Sequence, residues 1–196
     1  MGVNSAGGSA TQPEQSWRRL ASSAVHTTPW FEVRRDTVVG PDGAPGVYHH
    51  VVTPGSVTVL ALGDEDRLAM TRQWIYTHGG IQWRLPGGGI DARDADPLAA
   101  ACRELAEETG LRANKWSSIG RIHGADSLSN HVDHAFLATG LTEGPISRGP
   151  GEADLSVSWL PFNCAVDLVT SGQVLHAGSA YALLLVAAHR VAGMQP

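Results

Sequence analysis

Cysteine, charge and long apolar runs are all scarce in this chain of 196 residues. With only two cysteines, Cys102 and Cys164, the sequence excludes a disulfide-rich secreted scaffold. A free cysteine packs as a small apolar side chain, so we expect two reduced, buried thiols. The alternative is a single disulfide between the two cysteines. The most apolar run, Ala182 to Ala188, is far shorter than the ~20 residues that a membrane-spanning helix needs.

The charge balance narrows the class of partner. Charged residues make up 17% of the chain, apolar residues 42%, and the formal net charge is -5, a composition typical of a folded globular protein. Nucleic acids and anionic membranes are bound by clustered Lys and Arg, so we expect neither as a partner. A small phosphate-bearing ligand held through metal ions remains compatible with this charge.

The N-terminal segment divides into two parts. Residues 1–16 are rich in Gly, Ser, Ala and Gln and lack the basic start and apolar stretch of a signal peptide, so we expect a disordered tail on a cytoplasmic protein. Residues 17–53 contain two extended segments, Trp30–Val39 and Val47–Val52, joined by a Gly-Pro-Asp-Gly turn. They predict an N-terminal β-hairpin layer.

Residues 54–196 begin with a Pro-Gly break. Candidate strands and candidate helices are interleaved along this range, which predicts a mixed α/β domain. The candidate strands are Val57–Leu62, Leu68–Tyr76, Ser118–Ile122, His134–Ala138 and Leu155–Leu160, and the candidate late helices are Phe162–Ser171 and Ser179–Val191.

A stronger helix follows a glycine-rich loop. Asp96 is a favourable N-cap, Pro97 suits the first turn and Gly110 a C-terminal stop, so the sequence predicts a helix over Pro97–Thr109. We expect an apolar face formed by Leu98, Ala101, Cys102 and Leu105.

Three glutamates share another face of this helix. Glu104, Glu107 and Glu108 stand at i, i+3 and i+4, where like charges repel by a few tenths of a kcal/mol per pair. A divalent cation such as Mg²⁺, which prefers carboxylate oxygens, would turn that repulsion into binding. From spacing alone, a simply solvated acidic face is an equal alternative.

The wider pattern resembles a known family. Arg103 to Leu111 reads R-E-L-A-E-E-T-G-L and matches the second half of the Nudix hydrolase signature, G-x5-E-x7-R-E-U-x-E-E-x-G-U, at every fixed position. Leu85-Pro86-Gly87-Gly88 stands upstream, as in that family. The resemblance implies the Nudix fold, a mixed β-sheet sandwiched between helices, and metal-assisted attack of water on a diphosphate.

The first half of the signature departs from the family pattern. Strict spacing makes Gly89 the leading glycine and puts Ala95 in the first Glu position. Alternatively, Gly88 leads, Asp94 replaces that Glu and one residue is inserted before the helix. We prefer the second alignment, because the Leu-Pro-Gly-Gly segment then meets the usual entry to the loop.

The resemblance implies roles for five residues. Glu104 and Glu108 would be the main metal ligands, with Glu107 sharing or bridging ions and the Gly87 carbonyl completing the shell around Mg²⁺, or Mn²⁺ as an alternative. Arg103 would hold a helix carboxylate in place; a surface i,i+4 pair with Glu107 is compatible with that role.

Over about residues 17–192 the chain resembles the ADP-ribose and ADP-sugar pyrophosphatase branch. The shared features are the N-terminal layer, Arg72-Gln73-Trp74 at a strand end, and Trp159-Leu160-Pro161 followed by Gly172, His176-Ala177 and a Leu-rich helix. The branch implies a homodimer formed through the N-terminal layer, whose aromatic residues sandwich the adenine.

This branch suggests further site residues. Trp30 and Tyr48 are candidates for stacking on the base, with ordinary packing as the alternative, and Arg72 for a phosphate contact, with a strand-edge salt bridge as the alternative. A late acidic residue is expected where Ala153 stands. Of the two flanking acids, Glu152 and Asp154, Glu152 is our candidate; otherwise a helix glutamate must activate the water.

The sequence thus predicts a metal-dependent hydrolase that splits ADP-ribose, or a related nucleoside diphosphate sugar, into a nucleoside monophosphate and a sugar phosphate. The alternatives are a Nudix hydrolase of another diphosphate or triphosphate, and a non-catalytic module that senses ADP-ribose. His131 and His134 have no zinc-like partners and are interpreted as surface or packing residues. Whether Asp126 and Asp133 line the pocket is undecided by sequence.

Overall fold

The computed structural model describes residues 16–194, which form ten strands and three α-helices. The chain divides into two compact units, residues 1–52 and residues 53–196. The disordered tail predicted for residues 1–16 falls outside the described residues, except for Ser16.

The N-terminal unit is a three-stranded antiparallel sheet in the order β1-β2-β3. Its strands are β1 (Arg18–Thr27), β2 (Glu32–Val39) and β3 (Pro45–Val52). The predicted hairpin is present as β2 and β3, and β1, which the sequence analysis did not predict, adds a third strand. All ten residues of β1 are exposed. An exposed strand needs no alternation of apolar and polar residues, and that alternation is the pattern by which a half-buried strand is predicted from sequence.

The larger unit contains two sheets. One has the order β7-β4-β9-β8 and the other β10-β5-β6; β4 and β9 are parallel and the other neighbours are antiparallel. The strands are β4 (Ser56–Ala61), β5 (Arg67–Ile75), β6 (Gly80–Arg84), β7 (Gly87–Gly89), β8 (Leu111–Ile122), β9 (Asp133–Glu143) and β10 (Ser156–Pro161), and the helices are α1 (Pro97–Thr109), α2 (Phe162–Thr170) and α3 (Ala177–Val191).

Strand β4 separates two apolar clusters because its side chains alternate between two faces. Val57 and Val59 pack with Leu105 of α1, whereas Leu60 packs on the other face with Leu183 of α3. The mixed sheet therefore lies between α1 and the two late helices. The structure confirms the predicted fold class. No helix within residues 16–194 is long and apolar enough to cross a membrane.

Helix α1 has the predicted bounds and caps. The Asp96 carboxylate accepts a hydrogen bond from the Ala99 N–H (2.8 Å), and Gly110 ends the helix in the left-handed conformation at φ 73°. Other boundaries shift by a few residues, and β8 begins seven residues before the predicted Ser118. Strands β6 and β7 fall in the segment expected to be a glycine-rich loop.

The buried face of α1 differs from the prediction. Leu98 is 38% exposed and Cys102 is exposed, whereas Glu104 and Glu108 are buried beside Leu105. The helix lies against the glycine strand β7, which has no side chains to fill the space, so the glutamate stems fill it. The expectation of buried thiols was also wrong: Cys102 and Cys164 are both free and exposed.

Candidate active site

The site begins where β7 passes between β4 and α1. At Gly87, a Cβ atom would lie 2.1 Å from the Val57 carbonyl oxygen, and at Gly88 it would lie 2.5 Å from Oε1 of Glu104. At Gly87 the obstacle is backbone, so only glycine lets the strand lie this close to β4, whereas a side chain at Gly88 would displace the Glu104 carboxylate. The Gly87 N–H donates to Oε2 of Glu108 (3.0 Å), which fixes the carboxylate against the strand.

Glu104 and Glu108 form a buried acidic pair. Their exposed fractions are 7% and 6%. Burial raises the pKa of Glu108 to about 8, an effect opposed by the Gly87 N–H and reinforced by the negative charge of Glu104. Burial also raises the pKa of Glu104, against the opposing effect of Arg103. Two desolvated carboxylates that repel each other form an environment that favours a bound cation.

Arg103 organises the carboxylates around this pair. Its Nε and Nη2 donate to the two oxygens of Asp94 (3.0 and 2.8 Å), and its Nη1 donates to Glu104 (2.7 Å) and to Glu107 (3.0 Å). Hydrogen bonding to Arg103 lowers the pKa of Asp94 to about 2. The sequence left two alignments of the signature open. In the alignment with Asp94 in the first acidic position, the residue at that position accepts hydrogen bonds from Arg103.

We tested whether these residues fit a divalent metal. Among residues 16–194 no three His, Cys, Asp or Glu side chains form a ready metal-holding group. Glu107 is turned toward Arg103 and lies 3.8 Å from Arg93. Glu104 Oε2 and Glu108 Oε1 accept no hydrogen bond from the described residues. Mg²⁺ typically uses one or two carboxylates, several waters and substrate phosphates, so this pair fits.

Glu152 reaches the same region from the loop after β9. It ends a short 3-10 turn, accepts a hydrogen bond from the Gly149 N–H (2.8 Å), and its charge raises the pKa of both buried glutamates. Arg148 ties this loop to α1 by donating to the Glu108 carbonyl (2.9 Å). Asp154 instead accepts from the Trp74 N–H (2.8 Å). Of the two acids that flank Ala153, Glu152 is therefore the one whose charge acts on the pair.

Three further predicted substrate contacts are on other strands and turns of the chain. Arg72 on β5 is exposed, and its guanidinium lies 5.6 Å from the centre of the Trp83 ring, without an ion pair to any described residue. In the N-terminal unit, Trp30 is 74% exposed in the turn between β1 and β2, and Tyr48 on β3 lies 5.5 Å from Trp17, ring centre to ring centre. Their roles as substrate contacts stay predictions.

A second polar cluster was not singled out from the sequence. Arg84 ends β6, Asp133 begins β9, and His176 caps the N-terminus of α3. Asp133 was noted but left undecided. These residues are 49 and 43 positions apart along the chain, and no local spacing pattern joins them.

Two family models match consecutive parts of the chain. The NUDIX domain matches residues 52–177, and the nucleoside diphosphate sugar hydrolase N-terminal domain matches residues 17–51.

Relatives match over nearly the whole length. The ADP-ribose pyrophosphatase of Mycobacterium tuberculosis is 32% identical over 184 residues, covering 93% of this chain and 89% of the relative. The CMP-5'-(N-acetyl-N-hydroxy-3-aminopropyl)phosphonate hydrolase of Streptomyces rubellomurinus is 28% identical, covering 92% and 86%. A crystal structure of an ADP compounds hydrolase superposes with a TM-score of 0.78 at 21% identity, covering 94% of this chain and 100% of that one. The chain therefore belongs to the Nudix hydrolase family and carries the N-terminal domain of its nucleoside diphosphate sugar hydrolases.

Proposed function

We propose that the protein hydrolyses the diphosphate of nucleoside diphosphate sugars, with ADP-ribose as the first substrate to test, and releases AMP and ribose 5-phosphate. The observation that carries this proposal is the buried pair Glu104 and Glu108 beside Gly87, within a Nudix domain that follows a nucleoside diphosphate sugar hydrolase N-terminal domain. The ADP-ribose pyrophosphatase of Mycobacterium tuberculosis, similar over 93% of the chain, supports the choice of substrate.

Glu104 and Glu108 would hold Mg²⁺, or Mn²⁺ as the alternative, with the Gly87 carbonyl completing the shell and Glu107 able to join it. When bound, a divalent cation neutralises charge on the phosphoryl oxygens and lowers the pKa of a water molecule. Glu107 accepts from Arg103 through one oxygen, as Glu104 does, and its other oxygen lies 3.8 Å from Arg93, so ligation through that oxygen would compete with Arg93.

The chain's other residues would orient this chemistry. Arg103 holds Glu104 through one side of its guanidinium while Asp94 takes the other, which limits the positions that the Glu104 carboxylate adopts. Glu152 lies close enough to influence both buried glutamates electrostatically and is the candidate general base that takes a proton from the attacking water.

The N-terminal unit would supply base recognition and dimer contacts. Trp30 and Tyr48 are the proposed stacking residues, and flat rings supply roughly 1–3 kcal/mol per stacked base in comparable systems. Leu20 and Val25 on the fully exposed β1 are apolar side chains that a second copy of the chain would cover. Light scattering at micromolar concentration should give the mass of a homodimer; a monomer contradicts this part. The cytoplasmic location and the lack of a nucleic-acid partner stay predictions.

Product analysis on a panel of substrates tests the function. The panel contains ADP-ribose, ADP-glucose, GDP-mannose, a cytidine nucleotide phosphonate and ATP, each with Mg²⁺ and with a chelator. We expect ADP-ribose or ADP-glucose to give AMP and a sugar phosphate only with the metal. Preferred cleavage of GDP-mannose would keep the substrate class but reject ADP-ribose as the substrate, and preferred cleavage of ATP would support the alternative hydrolases. Binding of ADP-ribose without cleavage would support the sensing module, which the two intact buried glutamates disfavour.

A further inference from the structure

A polar cluster formed by Arg84, Asp133 and His176 lies beside the glycine strand. We propose that this cluster binds the sugar-phosphate half of the substrate, with Asp133 accepting a hydrogen bond from a sugar hydroxyl and Arg84 donating to a phosphoryl oxygen. This inference rests on the proposed function and identifies the residues that would recognise the sugar of the substrate.

Asp133 has one oxygen that the protein does not satisfy. The residue is 5% exposed, and its Oδ2 accepts from the Thr58 hydroxyl (2.9 Å). Its Oδ1 is buried and has no hydrogen-bond partner among the described residues. A buried polar atom left unpaired costs on the order of 1–3 kcal/mol, and more when charged. A ligand hydroxyl would supply the missing donor.

Arg84 offers the complementary chemistry. Its main chain is paired with Thr71 of β5, and its carbonyl accepts from the Thr71 hydroxyl (3.3 Å). Within residues 16–194 its guanidinium donates no hydrogen bond to a side chain or carbonyl, although burial lowers its pKa. A half-covered guanidinium with five donors and no protein acceptor matches the oxygens of a phosphate.

The main chain beside Arg84 is fixed to helix α3. The N–H of the next residue, Leu85, donates to the Ser179 hydroxyl (2.9 Å), which in turn contacts Nδ1 of His176 (2.9 Å). Nε2 of His176 lies 3.9 Å from Oδ2 of Asp133. Arg84 and Asp133 therefore flank one histidine, and the end of β6 and the start of β9 face the first turn of α3.

A second set of contacts joins the cluster to the acidic pair. The side chain of Thr58, the partner of Asp133, is on the α3 face of β4, whereas Glu108 comes from α1 on the other face. The two meet only at the β4–β7 pairing, where Thr58 stands opposite Gly87 and the Gly87 N–H donates to Glu108. The charge of Arg84 interacts favourably with both Glu108 and Asp133. A phosphoryl group beside Glu108 would therefore lie within the field of Arg84, with its sugar directed toward Asp133.

His176 acts as a positioning residue. Its Nδ1 accepts from the Ser179 N–H (3.3 Å), which leaves the ring proton on Nε2, facing Asp133. Burial, with the charge of Arg84, lowers the pKa of His176 to about 4, so the ring is neutral near pH 7. Nε2 of His176 is 3.9 Å from Oδ2 of Asp133, too far for a hydrogen bond, so the imidazole packs beside Asp133 and limits the positions of its carboxylate.

Two matched substrates separate sugar recognition from chemistry. ADP-ribose carries the sugar, and the β-methyl ester of ADP keeps the adenosine and the diphosphate but replaces the sugar by a methyl group. Asp133→Asn should lower kcat/KM for ADP-ribose at least ~10-fold and leave the methyl ester within about twofold, because only one substrate offers the hydroxyl. Arg84→Gln should lower kcat/KM for both substrates at least ~10-fold, because both carry the phosphoryl oxygen.

Thr58→Val is the matched control. It removes the hydrogen bond to Oδ2 of Asp133 but leaves Oδ1, so the ratio of kcat/KM between the two substrates should not change. If Asp133 only holds the strands together, both variants lower the melting temperature and neither alters that ratio, which overturns the proposal.

Calorimetric titration with ribose 5-phosphate decides the case without hydrolysis. Wild type and Thr58→Val should bind the sugar phosphate, and Asp133→Asn should bind it at least ~10-fold more weakly, which is about 1.4 kcal/mol. Equal binding by folded Asp133→Asn protein contradicts the site, as does a lack of binding by wild type. If wild type binds ribose 5-phosphate but cleaves no nucleoside diphosphate sugar, the proposed function fails while the sugar-phosphate site stands.

Discussion

The two units of the chain bury their apolar residues to very different extents. In residues 53–194, β4 lies between two apolar clusters, and Leu60, Leu105 and Leu183 are fully buried. In the N-terminal sheet, all of β1 is exposed, and the large apolar side chains of Trp17, Leu20 and Val25 are more than half exposed. The larger unit builds its own core, whereas the N-terminal sheet leaves large apolar side chains exposed.

This difference in packing suggests that the two units have different functions. A closely packed unit can hold two repelling carboxylates in place, since its packing resists their separation. A sheet without its own core cannot do so but can offer flat aromatic surface. We therefore expect variants of the acidic pair in the larger unit to change kcat and variants in the N-terminal sheet to change KM or association.

The largest effect is expected at the acidic pair. Glu104→Gln and Glu108→Gln should each lower kcat at least ~100-fold, a barrier increase of about 2.7 kcal/mol or more, because each removes a metal contact. Without metal, Glu108→Gln should be at least as stable as wild type, because a neutral amide is easier to bury than a carboxylate.

Exposed Glu143 at the end of β9 is the control for this pair, and Glu143→Gln should keep kcat within about twofold. Steady-state kinetics and thermal melts on the same preparations give both quantities. Near-normal kcat in folded Glu108→Gln protein would refute the metal assignment.

The next effect concerns the two flanking acids of the late loop. Glu152→Gln should lower kcat by roughly 10- to 100-fold with little change in KM, the range of a general base, because the charge of Glu152 acts on the acidic pair. Asp154→Asn should have little effect on kcat, since Asp154 binds the Trp74 N–H instead. The comparison fails if Asp154→Asn is the more damaging substitution.

A smaller loss is expected when Arg103 loses one partner. Asp94→Ala should lower kcat/KM roughly tenfold, about 1.4 kcal/mol, because Arg103 then orients Glu104 less well. Ala95→Ser at the neighbouring position should be neutral. If Ala95→Ser and Asp94→Ala behave alike in kinetic assays, Asp94 does not act as the first acidic residue of the signature.

Trp30 tests the expectation that variants of the N-terminal unit change KM rather than kcat. Trp30→Ala should raise KM for ADP-ribose several-fold and leave kcat within a few-fold, the signature of lost uniform binding. Because Trp30 is 74% exposed, the melting temperature should barely change. A lower melting temperature with unchanged KM would indicate a packing role, and a collapse of kcat would place Trp30 in the catalytic architecture.

A separate prediction concerns stability rather than kinetics, namely a pH dependence of the unfolding free energy of the larger unit. The folded-state pKa of His176 is lowered to about 4 from 6.5, so the unfolded chain binds the proton more readily. The free energy of unfolding should therefore fall as the pH drops from about 6.5 to about 4. His176→Gln should flatten this part of the curve in denaturant titrations; an unchanged slope would contradict the assignment.

The sequence predicted the parts of the site that are close together along the chain. Glu104 and Glu108 are one helical turn apart, and the caps at Asp96 and Gly110 define that helix locally. It could not show which helix face is buried, because Glu104 and Glu108 fill space left by glycines in β7. Burial of an acidic face depends on a neighbour that helical periodicity does not reveal.

The contacts that sequence analysis missed join distant segments. Thr58 and Asp133 are 75 residues apart, and Leu85 and Ser179 are 94 residues apart. No period relates such positions, so only the pairing of β4 with β9 and the packing of α3 bring them together. β1 was missed for a related reason, because a fully exposed strand carries no apolar alternation.

A crystal soaked with Mn²⁺ and a non-hydrolysable ADP-ribose analogue tests the central claim most directly. The anomalous signal of the metal locates it without reference to activity. We predict a peak coordinated by the carboxylates of Glu104 and Glu108 and by the diphosphate of the analogue. A metal bound by other side chains, with these two glutamates uncoordinated while the protein hydrolyses ADP-ribose, would contradict the account.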